Sequence, residues 1–126
     1  MVDGDRLTGV TKISSNLLEI EFLIAKKGAG LETSLKTNLG VTAQALRHLD
    51  VMLNNTLEAN ILGFNISVPT PEAYTLHKIV INGERGKKAE KDIRAIENIF
   101  RYLDRDAFDN LKSRLTKKEQ AAVNAF

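Results

Sequence analysis

Charged and apolar positions alternate through Val10-Thr11-Lys12-Ile13 and again through Leu17-Leu18-Glu19-Ile20-Glu21-Phe22-Leu23-Ile24, with the polar break Ser14-Ser15-Asn16 between them. A period of two with a polar turn predicts a β-hairpin. It sets Leu18, Ile20, Phe22 and Ile24 on one face and Leu17, Glu19, Glu21 and Leu23 on the other. The two carboxylates then stand roughly 7 Å apart along the strand. Lys26-Lys27-Gly28-Ala29-Gly30 ends the strand, and a polar connection runs to Gly40. From Thr42 onward, Ala45, Leu46, Leu49, Met52 and Leu53 follow the i, i+3, i+4, i+7 rule, which predicts an amphipathic helix ending near Asn54-Asn55. Residues 57–62 and 64–68 read as two short strands joined by a tight turn at Gly63, the second closed by Pro69, a residue that a central strand does not hold.

The second half is patterned for helices. Thr70-Pro71-Glu72 offers a capping hydroxyl, a proline where no donor is lost, and an acid against the helix dipole, so a helix is expected to about Ile81. Residues 82–86 read as a loop. A helix over 87–103 follows, with Ala89, Ile93, Ile96, Ile99, Phe100 and Leu103 on one face. Asp104-Arg105-Asp106 caps a further helix through Leu115, and Thr116-Lys117-Lys118-Glu119 is a capping box for a last short one. The fold class is therefore α+β: a short antiparallel sheet of about four strands packed against four or five helices. A single domain is expected over 1–126, with a β-rich portion at 1–68 that holds one helix and a helical portion at 69–126.

Composition narrows the chemistry. In 126 residues with 43% apolar types and no cysteine, there is room for one ordinary core and none for a disulfide scaffold, a thiolate metal site or a thiol nucleophile. No apolar run approaches the ~18 residues of a membrane span, and the acidic start is not a signal peptide, so a cytoplasmic protein without a membrane partner is expected. Net charge is +2, too balanced for a strong nucleic-acid signal. Residues 1–82 carry 7 basic and 8 acidic groups, whereas 83–126 carry 11 and 8, so an anion-seeking surface is expected in the C-terminal third. The plain alternative is a solvated helical face.

Motif searches remove the commoner enzymes. His48 and His77 have no His-x-x-x-His spacing, and there is neither Gly-x-Ser-x-Gly nor a Gly-x-x-x-x-Gly-Lys loop. Asp3-Gly4-Asp5 and Asp104-Arg105-Asp106 have the spacing of paired metal carboxylates, but the first reads as a fraying terminus and the second as a helix cap.

One stretch is more specific. Val68-Pro69-Thr70-Pro71-Glu72-Ala73-Tyr74-Thr75-Leu76-His77-Lys78-Ile79, then Arg85, then Lys88-Ala89-Glu90-Lys91-Asp92-Ile93 resembles the C-terminal part of a bacterial nucleotidyltransferase-like family. In that family a strand ends in Val-Pro-x-Pro, a helix carries His-Lys, and a Lys-x-x-Lys-Asp helix follows. The resemblance spans residues 10–103 and concentrates in 66–93. Glu21-Phe22-Leu23 resembles the late palm strand that bears a third acidic residue. The family's Gly-Ser turn and the strand with two metal-holding aspartates have no counterpart, so the resemblance implies a late portion of the fold, whether fragment, degenerate homologue or stand-alone binding module, that does not catalyse alone.

It further implies metal-dependent nucleotidyl transfer from an NTP with Mg²⁺, given an upstream palm segment or a partner chain that supplies the missing residues. Glu21 would be the catalytic and metal-side carboxylate, with Glu19 the competing candidate and a solvated strand position the plain reading of either. Lys78, Arg85, Lys88 and Lys91 would converge on the nucleotide's triphosphate. His77 reads as a buried structural imidazole, and Asp92 as a partner that orders a neighbouring cation. A different class stays open beside this one: a non-catalytic interaction or oligomerisation module, whose apolar tail Ala121-Ala122-Val123-Asn124-Ala125-Phe126 packs on its own core or on a neighbour.

Overall fold

The computed structural model describes residues 2–4, 11–14, 19–21, 23–26, 34–38 and 42–126. The chain divides into two compact units, Met1–Leu49 and Asp50–Phe126. The α+β class and the helical C-terminal half hold. The strands, however, are parted among three small sheets, and the β-hairpin at 56–69 groups with the helices.

In the first unit, β1 (Val2–Gly4), β2 (Thr11–Ser14) and β3 (Glu19–Glu21) form an antiparallel sheet in that order. The β2–β3 register pairs Ser14 with Glu19 and Lys12 with Glu21, as the alternating pattern requires. Of the stretch expected to fray, Asp3 and Gly4 are paired in β1, opposite Lys12 and Thr11, and Asp5 lies outside the described residues. The single strand expected over 17–24 is divided: β3 ends at Glu21, and β4 (Leu23–Ala25) joins a second sheet with β5 (Ser34–Lys36) and β6 (Thr42–Leu46), ordered β4-β6-β5. Leu23 therefore does not share a strand face with the two glutamates. β5 also interrupts what read as a polar connection.

The helix expected from Thr42 is replaced by β6, a turn, and the single-turn helix α1 (Asp50–Leu53). Ala43 and Ala45 are buried while Thr42, Gln44 and Leu46 are half-buried, a period of two. β6 is the middle strand, parallel to β4 and antiparallel to β5. Alanine suits a strand flanked on both edges because its small side chain fits close approach, and tertiary pairing overrides its helical propensity. His48, at φ 57°, then turns the chain out of the strand.

The second unit opens with α1 and the hairpin β7 (Thr56–Ile61) and β8 (Phe64–Pro69), whose turn places Leu62 at φ 53° and Gly63 at φ 82°. Positive φ at both central residues is the type I′ pattern that matches strand twist. α2 (Pro71–Ile81) starts at Thr70, whose hydroxyl accepts from the Ala73 N–H at 3.1 Å. Two short 3₁₀ turns, Asn82–Glu84 and Gly86–Lys88, take the place of the expected loop, and α3 (Ala89–Phe100) is shorter at both ends than the expected 87–103. α4 (Arg105–Ser113) is capped by Asp104, which accepts from Ala107 N–H at 3.1 Å. α5 (Lys117–Ala125) carries the full capping box of Thr116 and Glu119.

The core of this unit joins Val51, Ala73, Leu76, Ile79, Ile96, Leu103, Phe108 and Leu111, with Ile99, Phe100, Leu115 and Val123 packed against it. Phe100 and Phe108 meet edge to face at 5.7 Å. Val123 thus turns the apolar tail back on its own core, whereas Phe126 stays exposed. Two stability changes are expected in urea unfolding. Leu76→Ala, at a fully buried position of α2, lowers stability by about 2–5 kcal/mol. Leu62→Asn, which relieves an exposed leucine in left-handed backbone, raises it by roughly 0.5–1 kcal/mol.

Candidate functional site

α2 is buried nearly all round: Ala73, Thr75, Leu76, His77, Ile79, Val80 and Ile81 are covered. Besides Glu72 in the first turn, a stripe through Pro71, Tyr74, Lys78 and on to Asn82 just past the helix reaches the surface, at the i, i+3, i+4 spacing of one helix edge. His77 falls on the covered side, 1% exposed, as a lone helical histidine on an apolar face does. Lys78, one residue on, falls on the open stripe.

That stripe meets the start of α3. Lys78 Nζ donates to Asp92 Oδ1 at 3.0 Å, and Arg85 Nε donates to Asp92 Oδ2 at 2.7 Å, so one carboxylate holds two cations, one on each oxygen. The three side chains are spaced seven residues apart, yet no single helix aligns them. The two 3₁₀ turns fold the chain back between α2 and α3, and Asn82 Nδ2 fastens the bend by donating to the Ala89 carbonyl at 3.1 Å. Tyr74 adds its ring face to Lys78, with Nζ 5.5 Å from the centroid. The tyrosine's part was legible only as the i, i+4 spacing of Tyr74 and Lys78.

Asp92 is 3% exposed. Burial pushes its carboxyl pKa upward, but the hydrogen bonds from Arg85 and Lys78 and the attraction of their charges outweigh it, and the group titrates below its ordinary 3.8. Its place in the first turn of α3 aligns it favourably with the helix dipole.

Of the four cations expected to converge, the structure brings Lys78 and Arg85 together at Asp92. Lys88 is half-buried at the N-cap of α3, and Lys91 is exposed one turn into that helix. Glu19 and Glu21 occupy alternate positions of β3 in the first unit. No group of three or more His, Asp or Glu side chains is placed to hold a metal ion among the described residues.

A family model described as nucleotidyltransferase matches residues 5–120 of the chain. The chain belongs to the nucleotidyltransferase family. No significant match is found among curated proteins or among solved structures. The matched span takes in both units of this nucleotidyltransferase-family chain, the β3 glutamates and the Asp92 cluster included. No helix among the described residues is long and apolar enough to cross a membrane.

The charge at Asp92 has a sign that can be checked. Because the folded pKa is lowered, the cluster contributes stability above the ordinary carboxylate range and loses it as pH falls from about 4 through the lower folded value. Asp92→Asn, which strands two partly covered cations, is expected to cost roughly 3 kcal/mol at neutral pH. It should also flatten the acid limb of a stability profile measured by urea unfolding. An acid limb unchanged by the substitution would assign it to other carboxylates.

Proposed function

We propose that this chain is a late portion of a nucleotidyltransferase fold that binds the triphosphate of an NTP, and that it supports nucleotidyl transfer only when further metal-binding carboxylates join it from a preceding segment or a partner chain. Membership in the family carries this reading. The cluster at Asp92 gives it a chemical shape.

Lys78 and Arg85 less Asp92 leave one net positive charge, and around the start of α3 Lys87, Lys88 and Lys91 outnumber Glu84 and Glu90 by one more. A triphosphate presents spread negative charge that such a group neutralises through charge-assisted hydrogen bonds. The N-terminus of α3, which Lys88 and Lys91 flank, adds the positive end of its dipole. Asp92 in this reading keeps Arg85 and Lys78 in place, and His77 fixes α2 from inside.

Glu21 is the proposed late carboxylate, with Glu19 beside it on the same strand. Mg²⁺, when bound at such a site, screens and orients the phosphates. Two glutamates on one short strand are an incomplete donor set, so the described residues do not hold the ion by themselves, and no chemical step is assigned to them.

An NMR amide titration of the 126-residue chain with ATP and Mg²⁺ tests the reading. Shifts are expected to cluster at Lys78, Arg85, Lys88 and Lys91. Lys91→Ala, at an exposed position, is expected to weaken binding about tenfold, the loss of one charge-assisted hydrogen bond, without moving the unfolding midpoint. A dispersed spectrum that does not respond to ATP with or without Mg²⁺ overturns the proposal.

A further inference from the structure

Asn82 caps the C-terminal end of α2, one helical turn beyond Lys78. Its backbone and its side chain bond in different directions. The Asn82 carbonyl accepts from the Arg85 N–H at 3.2 Å and closes the first 3₁₀ turn, while Asn82 Nδ2 donates to the carbonyl of Ala89, the first residue of α3, at 3.1 Å. Asp92 stands in the same first turn of α3 as Ala89. Asn82 is thus linked to Lys78 through the last turn of α2, to Arg85 through the 3₁₀ turn and to Asp92 through the start of α3, so all three members of the cluster are referred to this one residue.

Two side-chain bonds cross the corner between α2 and α3 as rungs. Lys78 and Asn82 lie one turn apart on one side, Asp92 and Ala89 about one turn apart on the other, and the rungs are Lys78–Asp92, which is ionic, and Asn82–Ala89, which is neutral. Between the helices the chain runs through two 3₁₀ turns, whose hydrogen bonds are poorer than those of an α-helix, and through Gly86 at φ 55°, where no Cβ restrains the backbone. A corner of that kind takes its angle from the links across it. The two rungs answer differently to an anion. A phosphate that meets Lys78 and Arg85 competes with Asp92 for them, because both are oxyanions that take the same charged donors. The amide-to-carbonyl rung carries no charge and keeps its partner.

We infer that Asn82 is the positioning residue of the cation pair: its bond to Ala89 holds the first turn of α3 against the end of α2, so that Lys78 and Arg85 keep their places when their charge is turned toward a phosphate. The inference rests on the nucleotide reading given above, and it assigns Asn82 no contact with the ligand.

Asn82→Ala in the full chain is the test. Alanine accepts the helical backbone at this position, φ −52° and ψ −43°, so the substitution takes away the side-chain bond without straining the chain. Gln120→Ala is its control, since it too removes an amide that donates to carbonyls, those of Ser113 and Leu115, and so weakens the fold in the same way at a different corner. NMR reads two quantities in each variant: the titration of the Asp92 carboxyl carbon, and amide shifts on adding ATP. In Asn82→Ala the Asp92 carboxyl is expected to rise to its ordinary 3.8 or above, because burial raises it and the bonds from Arg85 and Lys78 are what hold it down. ATP binding is expected to weaken about fivefold, the equilibrium worth of one neutral hydrogen bond. Gln120→Ala should change neither. An Asp92 titration unmoved by Asn82→Ala overturns the inference, and so does a shift that Gln120→Ala reproduces. If the unaltered chain binds ATP and Asn82→Ala binds it equally well, Asn82 has no part in binding while the nucleotide reading stands. If the unaltered chain does not bind ATP, that reading falls and takes with it the part assigned to Asn82, whatever the Asp92 titration shows.

Discussion

α2 has to be covered on almost every side, and the rest of the second unit follows from that requirement. Seven of its eleven residues are buried, among them a histidine and a threonine. A helix this covered cannot be served by one neighbour. α1, α3, α4 and α5 each pack on it, and the core residues that α3 and α4 contribute, Ile96, Phe108 and Leu111, meet Ala73, Leu76 and Ile79 at its centre. The polar atoms that enter with it are satisfied: Thr75 Oγ1 donates back to the Pro71 carbonyl at 2.8 Å, and no buried side-chain nitrogen or oxygen among the described residues lacks a partner. Apart from Glu72, which accepts from the Asp104 N–H at 3.0 Å, the remaining narrow stripe is what α2 presents outward, and Tyr74 and Lys78 fall on it with Asn82 just beyond the helix end.

This arrangement also explains why so much of the helical half was legible. Caps act over three or four residues, and Thr70, Asp104 and Thr116 each bond the N–H their spacing selects. The turn at Gly63 is equally local. β6 is the opposite case. Thr42-Ala43-Gln44-Ala45-Leu46 satisfies a helical period and a strand period at once, and the decision between them rests on partners outside the segment: β5, which ends at Lys36, and the more distant β4, which ends at Ala25. A pattern confined to one segment cannot see that pairing. The assignment of Glu19–Glu21 and Leu23–Ala25 to different sheets is non-local in the same way, since the alternation in the sequence has no break between them while the strand partners change.

The site was legible in its parts and not in its joinery. Lys78, Arg85 and Asp92 stand out in the sequence, but only the pair of 3₁₀ turns decides that the two cations share one carboxylate. Had residues 82–88 continued α2, the seven-residue spacing would have carried each group two turns further along one helix, over 10 Å from the last. The bend, fastened by Asn82, converts sequence spacing into contact.

For the phosphate binding proposed above, Asp92 gives this contact a consequence. A lysine or an arginine in solution carries about 2 kcal/mol of rotamer entropy, which any anion it meets must overcome. Lys78 and Arg85 have already surrendered that freedom in folding, held to 3.0 and 2.7 Å by a buried carboxylate. Asp92 weakens the field that an anion feels, by cancelling one of two charges, while it fixes Arg85 through Nε. The trade is fewer net charges for fixed ones, and it favours an anion whose oxygens match the spacing over one that is merely negative. Selectivity of this kind comes from preorganisation. In the function proposed above, Lys88 and Lys91 at the start of α3 would supply the attraction that Asp92 removes.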